Sequence, residues 1–287
     1  MVRIIIAFLF IALITGCTKS ELEIIPGNQA QPDKTISSVT IENYITRTYI
    51  LALGREPDNS EFTMSKSLLS GTNLDSASRR IFLNDVFSSA SFRPHVYEEL
   101  KINLLNNADT ADYTMWINLF QLLSTDSTYF QIWSTLQFEI NRLVSLRNAF
   151  NEYVNGTIEV DEVQRRMCDN YLYDQINMGS ANFVISTFQN LINRNPTDAE
   201  QSSGISMIEG NNAILFLQAG SSKTDYLNIF TQSSNYFEGQ VVFMYLKYLR
   251  RLPTTLEMVN GTLRYETTGD YSAVQSDILS SDEFIGL

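Results

Sequence analysis

Tyr49-Ile-Leu-Ala-Leu-Gly-Arg55-Glu-Pro57-Asp-Asn-Ser-Glu61 decides the fold, because its pattern returns twice. It recurs as Phe188-Gln-Asn-Leu-Ile-Asn-Arg194-Asn-Pro196-Thr-Asp-Ala-Glu200 and as Tyr245-Leu-Lys-Tyr-Leu-Arg-Arg251-Leu-Pro253-Thr-Thr-Leu-Glu257. Each copy has an aromatic residue, five intervening residues, Arg-x-Pro, and Glu four residues past the proline. Apolar residues before the Arg keep helical spacing: Ile45, Tyr49, Ala52 and Leu53, then Val184, Phe188, Leu191 and Ile192, then Val241, Tyr245, Tyr248 and Leu249. Such a stripe is the buried face of a helix. Arg at the end of that helix complements the negative end of its dipole. The proline stops it by pushing the preceding residue out of the α region. The same proline suits the first position of the next helix. Across the turn, Arg55, Arg194 and Arg251 are expected to reach Glu61, Glu200 and Glu257. A packing device recurs with every copy, so these residues read as structure and not as a catalytic set.

Working outward, each copy closes on a similar exit: Ser88-Ser89 before Phe92, Ser233-Ser234 before Phe237, and Ser280-Ser281 before Phe284. A glycine precedes each exit, at Gly71, Gly220 and Gly269. Serine is a good N-cap, and the phenylalanine can pack at the junction. The expected class is therefore all-α: three copies of a helix–Pro turn–helix–short helix module, at about 41–93, 181–238 and 239–287, around a central helical segment at about 94–180. In that segment Tyr129, Trp133, Leu136, Ile140 and Leu143 fall three and four apart, as one amphipathic helix would place them. Asn211–Gly220 reads either as a short strand pair or as a buried helical turn.

Leu53-Gly54-Arg55-Glu56-Pro57 with its closing Ser89-Ala-Ser-Phe92 resembles helical domains of unknown function in large secreted bacterial proteins. Arg251-Leu-Pro253-Thr-Thr-Leu-Glu257 with Ser281-Asp-Glu-Phe284 is similar to the tail of domains in planctomycete cytochrome-associated proteins. Both resemblances imply helices, and neither implies an assigned chemistry.

At the start of the chain, Arg3 precedes an apolar run from Ile4 to Ile14. About eleven residues is half of what a membrane-spanning helix requires, and the pattern is that of a secretory signal. Ile14-Thr15-Gly16-Cys17 resembles the lipobox of bacterial lipoproteins. The resemblance implies a signal peptide at 1–16, acylation (palmitate among the chains) at Cys17, and a tether over 17–38. Two acyl signals suffice for stable attachment. Thr18-Lys19-Ser20-Glu21-Leu22-Glu23 is similar to the surface-export signal of Bacteroidota lipoproteins, which implies an outer-membrane lipoprotein with the cell surface favoured over the periplasmic face. Asp75-Ser76-Ala77, Asp109-Thr110-Ala111 and Asp126-Ser127-Thr128 resemble the O-glycosylation sequon of the same group, implying sugar on Ser76, Thr110 and Ser127.

The rest of the chemistry is sparse. The formal net charge is −12, which repels nucleic acid. One histidine, His95, supports no imidazole metal cluster, and beside Pro94 it reads as a surface residue. Cys168 follows Arg165 and Arg166 but has no histidine nearby in sequence, so it reads as a buried thiol and not a nucleophile. Glu159, Asp161, Glu162, Asp169 and Asp174 read as a solvated acidic face. No metal and no cofactor is expected. The expected function is a non-enzymatic lipoprotein, a scaffold or accessory subunit with protein partners in the outer membrane. A glycan- or peptide-binding lipoprotein using Trp116, Trp133 or Tyr236 is the alternative, and a carboxylate-based hydrolase stands behind it.

Overall fold

Helix α1 (Ser38–Leu53) starts where Ser37 accepts the Thr40 amide and stops where Gly54 turns left-handed. Asp58 then caps α2 (Asn59–Gly71), and Asp75 caps α3 (Ser76–Phe87). These side-chain acceptors satisfy amides that a helix start leaves without partners. There follow α4 (Phe92–Leu105), α5 (Thr110–Leu123), a 3-10 turn (Ser127–Ile132), α6 (Trp133–Val154), α7 (Val160–Cys168), α8 (Tyr171–Ile176), α9 (Ser180–Ile192) and α10 (Asp198–Ile208). A hairpin of β1 (Ala213–Leu215) and β2 (Gln218–Gly220) precedes α11 (Lys223–Thr231), α12 (Ser234–Leu249), α13 (Thr255–Thr268), α14 (Tyr271–Leu279) and α15 (Asp282–Ile285). This computed structural model describes residues 35–287, and the class is all-α. The expected signal peptide, Cys17 and nearly all of the tether lie outside the described residues.

Ile36–Leu287 form one compact unit. Its main core is rich in aromatic rings, with Tyr44, Phe82, Phe188, Tyr226, Phe230, Tyr236, Tyr248 and Phe284 fully buried. A buried phenol costs free energy unless its hydroxyl is paired. The Tyr236 hydroxyl donates to Gln164 Oε1 at 2.5 Å, Tyr248 accepts from Gln275 Nε2 at 2.5 Å, and Tyr226 shares a 2.5 Å bond with Thr187. The close crossing of α9 and α12 depends on Gly239, since a Cβ there would lie 2.3 Å from the Ile192 Cα. A second, smaller core of Ile117, Phe120, Leu136, Ile140 and Leu143 lies between α5 and α6.

Several expectations are corrected. Tyr129 does not belong to α6: Asp126 accepts the Thr128 amide and closes a 3-10 turn, and the helix begins at Trp133. The apolar period therefore runs one turn past the helix. The expected boundary at 238/239 falls inside α12, which serves as the exit of one corner and the first helix of the next. Ser233 and Ser281 are N-caps, whereas Ser88 ends α3 and Ser91, which precedes α4, makes no side-chain cap. The three glycines do not share a role: Gly269 is a left-handed cap, Gly71 is helical, and Gly220 ends β2. Asn211–Gly220 holds the strand pair, with Ala213 opposite Gly220 and Leu215 opposite Gln218. Phe216 and Leu217 make its turn at φ 49° and 67°. Phe216 offsets that strain by packing against Phe188 and Phe230.

Candidate functional site

The three corners have one geometry. Arg55 donates through Nη1 and Nη2 to Glu61 at 2.7 and 2.7 Å, Arg194 to Glu200 at 2.8 and 2.7 Å, and Arg251 to Glu257 at 2.8 and 2.7 Å. Each Nη1 also donates to the carbonyl of the next residue, Glu56, Asn195 or Leu252. Each glutamate accepts the amide of its helix N-cap, Asp58, Thr197 or Thr254, as half of a capping box. The guanidinium lies over the motif's aromatic ring, 5.7 Å from Tyr49, 5.0 Å from Phe188 and 5.3 Å from Tyr245. Hydrogen bonds from Arg194 and Arg251 push the Glu200 and Glu257 carboxyls down to about 2. Two details differ from expectation. The arginines stand beyond the left-handed caps Gly54, Asn193 and Arg250, outside the helix, so their charge serves the glutamate and not the dipole. Pro57, Pro196 and Pro253 precede the N-cap residue and do not occupy the first helical position.

Ser76, Thr110 and Ser127 are exposed, and each directly follows a helix-capping aspartate: Asp75, Asp109 or Asp126. The same tripeptide is thus also a helix start. Cys168 is fully buried, and burial pushes its thiol up to about 12.

The acidic segment is not a solvated face. Arg142 on α6 contacts Glu139 at 2.9 Å, Asp169 at 3.1 Å and Asp174 at 2.8 Å, and its side chain is 9% exposed. Lys223 on α11 pairs with Asp174 as well. Glu162 is held by Arg165 and Arg166, and Glu159 by Arg93. The segment is an ion network joining α6, α7, α8 and α11, and among the described residues no group of three His, Cys, Asp or Glu is arranged to hold a metal.

His95 is also corrected. It is half-buried in the first turn of α4, against Gly54, where a Cβ would come within 2.5 Å of its Nδ1. Its Nε2 lies 3.4 Å from Glu99 Oε1. Lys247 on α12 donates to both oxygens of Glu99, at 2.8 and 2.6 Å. Burial opposes ionisation of Glu99, but the contacts with His95 and Lys247 outweigh it and hold the carboxyl below its usual range. Glu99 and Lys247 border a cleft of about 510 Å³ between α4 and α12, walled by Leu100, Phe243 and Leu246. Sequence reasoning missed the cleft, since Glu99 and Lys247 stand 148 positions apart.

The aromatic residues named for ligand binding are placed differently from one another. Tyr236 is fully buried. Trp116 is half-buried against Phe120 and Tyr171, and Trp133 against Phe130. On the α5–α6 hairpin Met115, Leu119, Leu122 at 66%, Phe130 at 67%, Ile132 and Phe138 are exposed, and α13 exposes Leu256, Val259 and Leu263. From Tyr113 to Phe138 the only Asp, Glu, Lys or Arg is Asp126. Among the described residues no helix is long and apolar enough to cross a membrane. Comparison with protein-family profiles, with curated proteins and with solved structures yields no match.

Proposed function

We propose that this chain is a membrane-anchored lipoprotein, lipidated at Cys17, that serves as a non-enzymatic scaffold or accessory subunit of an outer-membrane or cell-surface assembly. The observation that carries the reading is the nearly uncharged apolar face of the α5–α6 hairpin. Exposed apolar residues scattered singly need no explanation, but six on one hairpin, with one charge between Tyr113 and Phe138, favour an interaction surface. Phe130 and Leu122 are the anchors, and the partner is a protein with an apolar groove. The acyl anchor supports the reading by confining the body to a membrane, where partner encounter is two-dimensional.

The test is extraction of the native membrane in mild detergent, with the chain as bait. Stoichiometric partners are expected with the native sequence and lost with Leu122→Ser/Phe130→Ser, while the helical circular-dichroism signal stays unchanged. Equal recovery with both chains, or a lone monomer in several detergents, overturns the proposal. Labelling with a palmitate analogue tests the anchor separately: label is expected on the native chain and absent from Cys17→Ser.

A further inference from the structure

Among the described residues, Arg47, Arg147 and Arg250 are the lysines and arginines without a carboxylate oxygen at ion-pair distance. In a chain with 32 acidic and 20 basic residues, unpaired cations are unexpected, and two of these three share one hollow. Arg47 on α1 and Arg250 at the end of α12 line a depression of about 460 Å³ with Asn43, Thr46 and Lys247.

Arg47 is fixed in place. Its Nη1 donates to the Phe284 carbonyl at 2.8 Å and its Nη2 to the Tyr248 carbonyl at 2.7 Å, and the guanidinium lies 4.1 Å from the centre of the Phe284 ring. The carbonyls orient the group without cancelling its charge. Burial, and then the neighbouring Arg250 charge, hold the Arg47 guanidinium below its usual range. Arg250 sits at φ 58°, where the other two corners place Gly54 and Asn193. A left-handed conformation is unfavourable for a residue other than glycine, so this arginine is set at the hollow against its backbone preference. Lys247 is already engaged by Glu99. Two positive charges are therefore left without an anion.

Lys247 and Arg250 also border the larger cleft between α4 and α12, with its apolar walls Leu100, Phe243 and Leu246. We propose that the hollow between α1 and α12 binds the phosphate of a small soluble phosphate monoester, bridged by Arg47 and Arg250, whose apolar remainder lies past Lys247 along that cleft. A phosphate monoester near pH 7 carries close to two negative charges, which matches two guanidiniums, and Arg–phosphate bonding is charge-assisted. The net charge of −12 repels an anionic bilayer but acts weakly on one phosphate in contact with two arginines. A soluble ester is therefore the occupant, and a lipid phosphate is the competing source.

The experiment is titration calorimetry of the detergent-solubilised full chain with inorganic phosphate and with phenyl phosphate. Saturable binding is expected for both, at least tenfold tighter for phenyl phosphate, and weakening as pH falls through about 6, where the phosphate takes up a proton. Arg250→Gly relieves the strained position and is expected to fold normally while losing at least tenfold in affinity. Arg47→Lys is expected to weaken binding similarly, but it also removes the carbonyl contacts, so Arg250→Gly is the deciding variant. No saturable binding of either compound, or unchanged affinity in Arg250→Gly, overturns the proposal. Arg250-dependent binding to phosphatidylcholine vesicles containing phosphatidic acid, without saturable phenyl phosphate binding, overturns the assignment to a soluble ester.

Discussion

The corners at Arg55, Arg194 and Arg251 and the hairpin of α5 and α6 solve the same problem in opposite ways. Both must join two consecutive helices that pack on each other. Each corner satisfies its own polar groups within thirteen residues: guanidinium on carboxylate, carboxylate on N-cap amide, guanidinium over ring. The hairpin has no clasp and depends on a separate small core, with Phe130 and Leu122 left in water. A corner that closes on itself needs nothing from a partner. A hairpin that leaves apolar area exposed retains a driving force of roughly 25 cal/mol per Å² for covering it. The motif that recurs is architectural, and under the proposed function the segment that breaks the pattern is where a partner would gain most.

Arg142 is where that contrast can be broken most severely. It ties the hairpin's second helix to α8 through Asp174, near the start of α11. Arg142→Ala leaves Glu139 without its cation, Asp169 with only Arg165 at 3.4 Å and Asp174 with only Lys223, in a mostly buried site, at an expected cost of about 3–5 kcal/mol. Hydrogen exchange should show α5 and α6 losing protection more than α12. Uniform loss across both regions would mean that the two cores unfold as one.

Gly239→Ala probes the other region. The added methyl meets the Ile192 backbone where α9 and α12 cross, so repacking requires a shift of two helices. A cost of about 1–3 kcal/mol is expected as a lower urea midpoint with unchanged slope, and exchange in α5 should be untouched. Faster exchange in α5 would show the hairpin coupled to the main core.

How much of this was legible in the sequence follows from the same contrast. The clasps were, because aromatic, Arg, Pro and Glu interact within one turn and leave a fixed spacing. The all-α class was too, since apolar spacing ahead of each Arg has the helical period. Tyr129 misled because its spacing continues the α6 stripe while the Asp126 cap imposes a 3-10 turn. The acidic segment misled because Arg142 and Lys223, which neutralise it, come from other helices. Glu99 with Lys247 and Arg47 with Arg250 were invisible for the same reason: each pairing exists only once α4, α1 and α12 are packed. Tyr236 looked like a ligand platform because sequence carries no burial, and here its hydroxyl is consumed by Gln164.

Within the corners, pH separates the clasp from ordinary helix propensity. The Glu200 carboxyl is held at about 2 in the folded chain, against 4.5 as its ordinary value, chiefly by its bonds from Arg194. A depressed carboxyl contributes its full stabilisation above the ordinary value and loses it as pH falls from about 4.5 towards about 2. Glu200→Gln should therefore cost about 1 kcal/mol at pH 7, since the pair is partly solvated, and the gap from the native chain should close on acidification. A gap that stays constant from pH 7 to 2 would mean that the amide loses only packing or capping, not ionic pairing.

The smallest effect sharpens the comparison most. Phe130 is 67% exposed and forms an edge-to-face ring pair with Trp133 at 5.2 Å, so Phe130→Ser removes little buried area. Its effect on stability should fall within about 0.5 kcal/mol, as for surface positions generally. If the hairpin is an interface, the same substitution should still weaken partner recovery at least tenfold, because an interface aromatic is often worth 2 kcal/mol or more once covered. A loss of partner with no loss of midpoint would place Phe130 on the functional side of the contrast. A drop of 2 kcal/mol in the isolated chain would instead make it a core residue of the hairpin, and the exposed face would lose its main anchor.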